Sequence, residues 1–328
     1  MITMPESIKM PGGLNDRGRP GASMHGPDDG RAQTPRGHET EGESGVMVMR
    51  IDVHTHIFPP EIIWGRERHF ESDPWFKLLY SPPKSRMASA GVLIDAMDED
   101  GVDRAVVFGF PWFDTDTVTR HNDYILESAV KYSPRLIPLA CVNPLTRSGP
   151  IEAERCLRAG AAGLGELAVY GPCDERTALG RFRDLFDCCR SRRSVLLVHA
   201  NEPVGHAYPG KAPLGLDFYY RLAADAAGIP LIFGHWGGGL CFYELLKKEA
   251  REVLSNVYYD TAASPFLYDA SIYRHMSEVL PAGKILFGSD YPLIKPARYF
   301  REMAESGLPQ PHMQAICGGN AARLFGLT

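Results

Sequence analysis

The sequence predicts an α/β protein folded as a (β/α)8 TIM barrel, on three observations. Apolar strand-like runs alternate with helical segments from residue 50 onward, the runs number eight, and they are too uniformly apolar to have a wet face. Strands buried on both faces belong to parallel sheets covered by helices, and eight such strands close a barrel. The patterned length, roughly 280 residues, fits the ~250 typical of that barrel with one insertion.

The first strand is RIDVHTH (50–56), and RAVVFGF (104–110) is the second. Between them an insertion at about residues 58–88 is rich in rings and prolines: Phe58, Trp64, Phe70, Trp75, Phe76 and Tyr80, with Pro59, Pro60, Pro82 and Pro83. A loop leaving the C-terminal end of a barrel strand sits over the active site. These rings are therefore expected either to line a pocket or lid, or to pack on the outer helices. The remaining strands are LIPLACV (136–142), AAGLGELA (161–168), SVLLVHA (194–200), PLIFGH (230–235), NVYYDTA (256–262) and KILFGSD (284–290). Helical stretches separate them, among them SAGVLIDAMDEDG, DYILESAVKYS, IEAERCLRAG, RFRDLFDCCRSR, GLCFYELLKKEAREVL and ASIYRHMSEVL, several ended by Gly or Pro. A doubly wound open sheet is the alternative, and it lacks the Gly-x-Gly-x-x-Gly that a dinucleotide fold needs after its first strand.

Residues 1–48 are expected to form a disordered N-terminal extension in front of a single domain at 49–328. Residues 1–46 hold no Phe, Trp or Tyr and are crowded with Gly, Pro and charge. Such a segment cannot bury enough apolar surface to offset its ordering entropy, which leaves His25 and His38 in solvent. Met47 and Met49 stand just before the first patterned run, so a start site there is also expected.

The formal charge of −5 comes from 35 basic and 40 acidic residues spread along the chain. Without a basic stripe or a membrane-length apolar run of ~18 residues, no nucleic-acid or membrane partner is expected, and a small-molecule substrate is. The N-terminus has no signal-peptide plan, so the protein reads as cytoplasmic. Seven cysteines without a Cys-x-x-Cys read as reduced, packed thiols. The apolar area of the aromatic insertion suggests a homodimer.

In IDVHTH the alternation of a strand puts Asp52, His54 and His56 on one face and Ile51, Val53 and Thr55 on the other. Three polar side chains inside a barrel need partners, and a divalent metal suits convergent imidazoles. Other strand ends bring more donors. VLLVH ends in His199, LIFGH in His235 and ILFGSD in Asp290, and GLGEL carries Glu166 between glycines that let the backbone approach a ligand. The other three strands are taken to lack such residues. Mixed imidazole and carboxylate shells hold Zn²⁺, with Mn²⁺, Fe²⁺ or Co²⁺ as alternatives, as one or two ions.

This pattern resembles the amidohydrolase superfamily of metal-dependent barrels. HWGGG after His235, ILFGSDYP around Asp290 and the terminal GGNAARLFGL are most similar to its branch containing aminocarboxymuconate-semialdehyde decarboxylase. The resemblance covers residues 50–326 and implies that His54, His56 and Asp290 bind metal with His199, while His235 binds a second ion or acts beside a single one. Glu166 departs from the one-metal decarboxylases and resembles the bridging acid of binuclear hydrolases.

The expected function is therefore hydrolysis of a small ester, lactone or amide by metal-activated water. Asp290 would move the proton, His235 would polarise the carbonyl, and Asp52 would orient a ligand imidazole. Tyr170, Asn201, Lys211, Trp112, Trp236 and Arg298, in or near strand-following loops, are candidate substrate contacts. The alternative is a non-oxidative decarboxylase of an aromatic or unsaturated carboxylic acid. A third reading, a silent metal-binding scaffold, has no physical need for an acid such as Asp290 in the ligand set.

Overall fold

Each apolar run becomes a strand in the computed structural model, which describes residues 49–327. The strands are β1 (Ile51–His56), β2 (Arg104–Phe108), β3 (Leu136–Ala140), β4 (Gly163–Leu167), β5 (Val195–Val198), β6 (Leu231–Phe233), β7 (Val257–Asp260) and β8 (Ile285–Leu286). The disorder expected for 1–48 lies outside the described residues. All neighbours are parallel and the strand order follows the chain from β1 to β8, which excludes the doubly wound sheet.

Closure comes from the chain after β8. Val53 N–H donates to Phe287 O at 2.8 Å, Asp290 N–H to His54 O at 3.0 Å and His56 N–H to Tyr291 O at 2.8 Å. The eighth strand is shorter in regular pairing than KILFGSD implied. Asp290 sits at φ +60°, so the backbone leaves the extended path at the barrel mouth. The result is a TIM barrel.

Alternation sorts the core into two shells. Val106, Leu139, Leu197, Ile232 and Leu286 pack together from five strands, and Ala321 of the C-terminal helix joins their cluster. Their sequence neighbours Leu196, Val198, Leu231 and Phe233 pack instead with helix residues Phe182, Leu185, Phe218 and Leu222. Because Leu197 shares a face with His199, a strand that alternates apolar residues delivers a histidine to the barrel axis. Gly163 and Gly165 of β4 have a different purpose from the one expected: a Cβ at either would meet Val195 or Leu197, so they admit β5 rather than a ligand.

The insertion answers both expectations. Phe58 and Phe76 are fully buried, and Phe76 packs 4.4 Å from Trp112 between ring centroids. Asp73 caps the helix Pro74–Tyr80 by accepting from Trp75 N–H and Phe76 N–H, and also holds Phe113 N–H. The turn after that helix brings Tyr80, Lys84 and Arg86 to the barrel mouth. Trp64 alone of the rings stays largely exposed.

GLCFYELLKKEAREVL is not one helix. A turn at His235–Leu245, whose residues Trp236, Gly237, Gly238 and Gly239 all have positive φ between 57° and 100°, precedes a separate helix at Lys248–Val253, and the break between them falls where Leu246 and Lys247 leave the helical region. Left-handed backbone is cheap only for glycine, so the glycine run reverses the helical hand here. All seven cysteines are free, and no helix among the described residues is long and apolar enough to cross a membrane.

The glycine run sets a stability test. At Gly238 φ is +61° and a Cβ would overlap the Asn201 carbonyl, whereas Gly205, at φ +83°, has open space around it. Gly238→Ala is expected to lower unfolding free energy by at least about 2 kcal/mol and Gly205→Ala by about 1 kcal/mol. Urea midpoints that move equally for the two variants contradict this.

Candidate metal centre and active site

Strand ends build the site. A cavity of about 930 Å³ opens at the barrel mouth, lined by His56 from β1, by Glu166 from β4 and by residues just past the strands, including Phe110, His199, His235 and Asp290. It is the C-terminal face, where barrel loops carry chemistry. His54 lies beneath, wholly buried.

Three of the four imidazoles have one nitrogen tied back to an acceptor, while His56 Nδ1 is buried without one. His54 Nδ1 faces Asp260 Oδ2 at 2.8 Å, His235 Nδ1 faces the Ala262 carbonyl at 3.1 Å and His199 Nε2 faces the Gly210 carbonyl at 3.0 Å. Carbonyls only accept, so the rings of His199 and His235 donate there and turn the other nitrogen inward. The inward atoms meet two carboxylates. Glu166 Oε1 lies 2.9 Å from His199 Nδ1 and 3.6 Å from both His54 Nε2 and His235 Nε2. Asp290 Oδ1 lies 3.7 Å from His54 Nε2 and 3.4 Å from His56 Nε2, and Glu166 Oε2 is 3.7 Å from His56 Nε2.

Those distances test the fit of a metal. With donors about 2.1 Å from an ion, a tetrahedral shell has edges of about 3.4 Å, and the four contacts joining His54 and His56 to Glu166 and Asp290 are close to that. His54 Nε2 is buried without a hydrogen-bond partner. Donor atoms of His54, His56 and Asp290, and of His54, Glu166 and His235, each form a set whose members lie within 4.8 Å of one another. An orphaned lone pair among carboxylates fits a divalent cation.

Electrostatics agree. Burial opposes charge on His54, but the Asp260, Glu166 and Asp290 carboxylates outweigh it and raise its pKa to about 10. Burial likewise opposes charge on Asp290, yet His56 and His54 pull it down to about 2. Glu166 is held well below the carboxylate range despite its burial, by His199 and His54. The cluster demands positive charge.

The structure thus brings together all six expected donors: His54, His56, Glu166, His199, His235 and Asp290. It does not bring together most of the expected substrate contacts. Tyr170 lines the cavity, 5.3 Å from His199 between ring centroids. Trp112 is buried and gives its N–H to His121 Nδ1, and Trp236 is buried and gives its N–H to Ser264 Oγ. Neither indole lines the cavity, because each fills the apolar layer behind it. The Asn201 amide clamps Ala212, Lys211 pairs with Glu202 at 3.1 Å, and Arg298 pairs with Glu302, so none of the three is a lining residue.

Asp52 is corrected too. Its carboxylate holds Ser289 and the backbone N–H of His54, and Asp260 holds the His54 ring instead. Burial raises the Asp52 pKa to about 7. Asp260 ends the apolar run VYYD as Asp290 ends ILFGSD, so β7 is not empty of polar end residues, and the signal that found the other donors was present for it. Lys84 and Arg86, also missed, lie on the cavity rim in PPKSR.

The model of the amidohydrolase family matches residues 51–327, and the chain belongs to that family. Among curated proteins no sequence match is found. Of the solved structures that share the fold, the 5-carboxyvanillate decarboxylase of Sphingomonas paucimobilis is 17% identical, with 86% of this chain and 100% of that one covered at a TM-score of 0.68. A dihydroxybenzoic acid decarboxylase of Polaromonas sp. JS666, with bound manganese and 2-nitroresorcinol, is 19% identical over 86% of this chain and 98% of that one, at a TM-score of 0.63. The 2,6-dihydroxybenzoate decarboxylase of Rhizobium is 17% identical over 86% and 99%, at 0.60.

The expectation of an ester, lactone or amide hydrolase is overturned by these structures, which are decarboxylases. That expectation rested on Glu166 bridging two ions. In the structure a single Glu166 oxygen is shared by three imidazoles of one compact cluster.

Metal uptake should depend on pH with a definite sign. Ligands must lose their protons to bind, and His54 keeps its proton in the metal-free cluster up to about pH 10. Apparent Mn²⁺ or Zn²⁺ affinity, measured by chelator competition, is therefore expected to rise about tenfold per pH unit between pH 6 and pH 8 for each proton displaced. A flat profile contradicts the ligand assignment.

Proposed function

We propose that the chain is a metal-dependent, non-oxidative decarboxylase of an aromatic carboxylic acid, a carboxy-lyase acting on a small molecule. The observation that carries this is the cavity above the donor cluster. Its walls are Tyr80, Phe110, Tyr170 and Phe266, with Lys84 and Arg86 on the rim, an apolar slot for a ring with cations for its anionic groups. The fold likeness to decarboxylases of hydroxylated benzoates supports the same reading.

The proposed donors are His54, His56, Glu166, His199, His235 and Asp290, and one ion per chain is proposed, since the single His54 lone pair is common to both donor sets and serves one ion. Carboxylate oxygens suit manganese, which is therefore proposed ahead of the expected zinc. A bound divalent cation would act as a Lewis acid that neutralises the substrate's carboxylate and oxyanion.

The protein's own groups do the rest. Decarboxylation needs a proton on the ring carbon that bears the carboxylate: a C–H bond forms, the C–C bond breaks with its electron pair returning to the ring, and CO₂ leaves. Asp290 faces the cavity beside His56 and His54. We assign it the proton transfer, with the proton drawn from solvent. His235, held by the Ala262 carbonyl, presents Nε2 to the same space. Phe110 and Tyr170, stacked at 8° between ring planes, hold the substrate ring flat.

Metal-loaded protein assayed in D₂O against a panel of hydroxybenzoates is expected to release CO₂ and leave deuterium at the vacated ring carbon. Asp290→Asn is expected to lower kcat by roughly 10²- to 10⁴-fold. Turnover of esters or lactones with no CO₂ release from any acid contradicts the proposal.

A further inference from the structure

Asp260 is fully buried at the end of β7 and divides its two oxygens between two strands. Oδ2 accepts from His54 Nδ1 at 2.8 Å. Oδ1 accepts from the backbone N–H of His235 at 2.9 Å and of Ala262 at 3.0 Å. His235 is the residue at which the left-handed turn begins, with φ +58°. One carboxylate thus touches a ring from β1 and the backbone that aims a ring from β6, two imidazoles whose centroids are 5.2 Å apart.

We propose that Asp260 is a positioning residue that fixes the proton of His54 on Nδ1, leaving Nε2 free to ligate, and at the same time anchors the strained turn that presents His235. This rests on the metal-site reading above. The two tasks fall on different oxygens, so an isosteric substitution separates them. Backbone N–H groups only donate, so in Asp260→Asn the amide oxygen must stay with His235 and Ala262. Its NH₂ group then faces His54 Nδ1, which must accept, and the ring proton moves to Nε2, where it blocks the lone pair. The turn survives and the ligand is lost. Asp260→Ala removes both contacts.

The test uses the full chain. Mn²⁺ and Zn²⁺ dissociation constants by chelator competition are expected to weaken about 10- to 100-fold in Asp260→Asn, while the thermal midpoint of its metal-free form stays well above that of Asp260→Ala, because the turn contacts are kept. Asp260→Ala is expected to lose both. An Asp260→Asn protein that binds metal as tightly as the wild type overturns the proposal. Nitrogen-15 spectra of the wild type, recorded where the His54 ring carries a single proton, carry the same prediction without a substitution and decide it if the variants do not fold. A hydrogen-bonded Nδ1 proton on His54 supports the proposal, and an Nδ1 without a proton overturns it. Wild-type protein that takes up neither metal sinks the metal-site reading, and the wild-type spectrum still decides what Asp260 does to His54.

Discussion

Imidazole nitrogens and carboxylate oxygens converge at the barrel mouth as acceptors facing acceptors, and a buried arrangement of that kind needs a cation. His199 and His235 spend their ring N–H groups on carbonyls, and His54 spends its own on Asp260. What remains is a ring of lone pairs around Glu166 and Asp290 at the floor of the cavity. Protons can fill it in part, which is why His54 is pushed up to about pKa 10. A divalent ion satisfies several donors at once, without placing separate protons on rings that touch the same oxygen.

Much of the fold serves that constraint. Alternation along β1 and β5 delivers His54, His56 and His199 to one face while their neighbours build the core. Glycines in β4 let it press against β5, so that Glu166 reaches three histidines. The left-handed run 235–239 ends β6 abruptly and aims His235, and the positive φ of Asp290 turns its carboxylate toward β1. Above the cluster the insertion contributes both structural rings and a basic rim, so the charged side chains lie on the floor and the rings form the walls.

The barrel and the convergence of His54, His56, Glu166, His199, His235 and Asp290 at its mouth were legible in the sequence because they depend on short-range rules: period-two alternation, and a polar residue at the end of an apolar run. Asp260 obeyed the same rule, and VYYD shows the cost of stopping at the histidines. The division of labour between Asp52 and Asp260 was not legible, since both face the barrel axis and only the stagger between strands decides which one meets an imidazole. Trp112 and Trp236 failed as substrate contacts for a related reason. Sequence position puts them beside the mouth, but the direction of each indole is set by distant partners, His121 and Ser264. Glu166 misled about chemistry: its presence is a matter of residue type, while its part in one cluster rather than two is a matter of distances.

The most direct test of the central claim is a crystal structure of the manganese-soaked protein, with anomalous scattering measured at the manganese edge. One strong peak per chain is expected within about 2.1–2.3 Å of His54 Nε2, His56 Nε2 and an Asp290 oxygen. Full-occupancy crystals with no anomalous peak among these atoms, and with the rings hydrogen-bonded to ordered water instead, would contradict it.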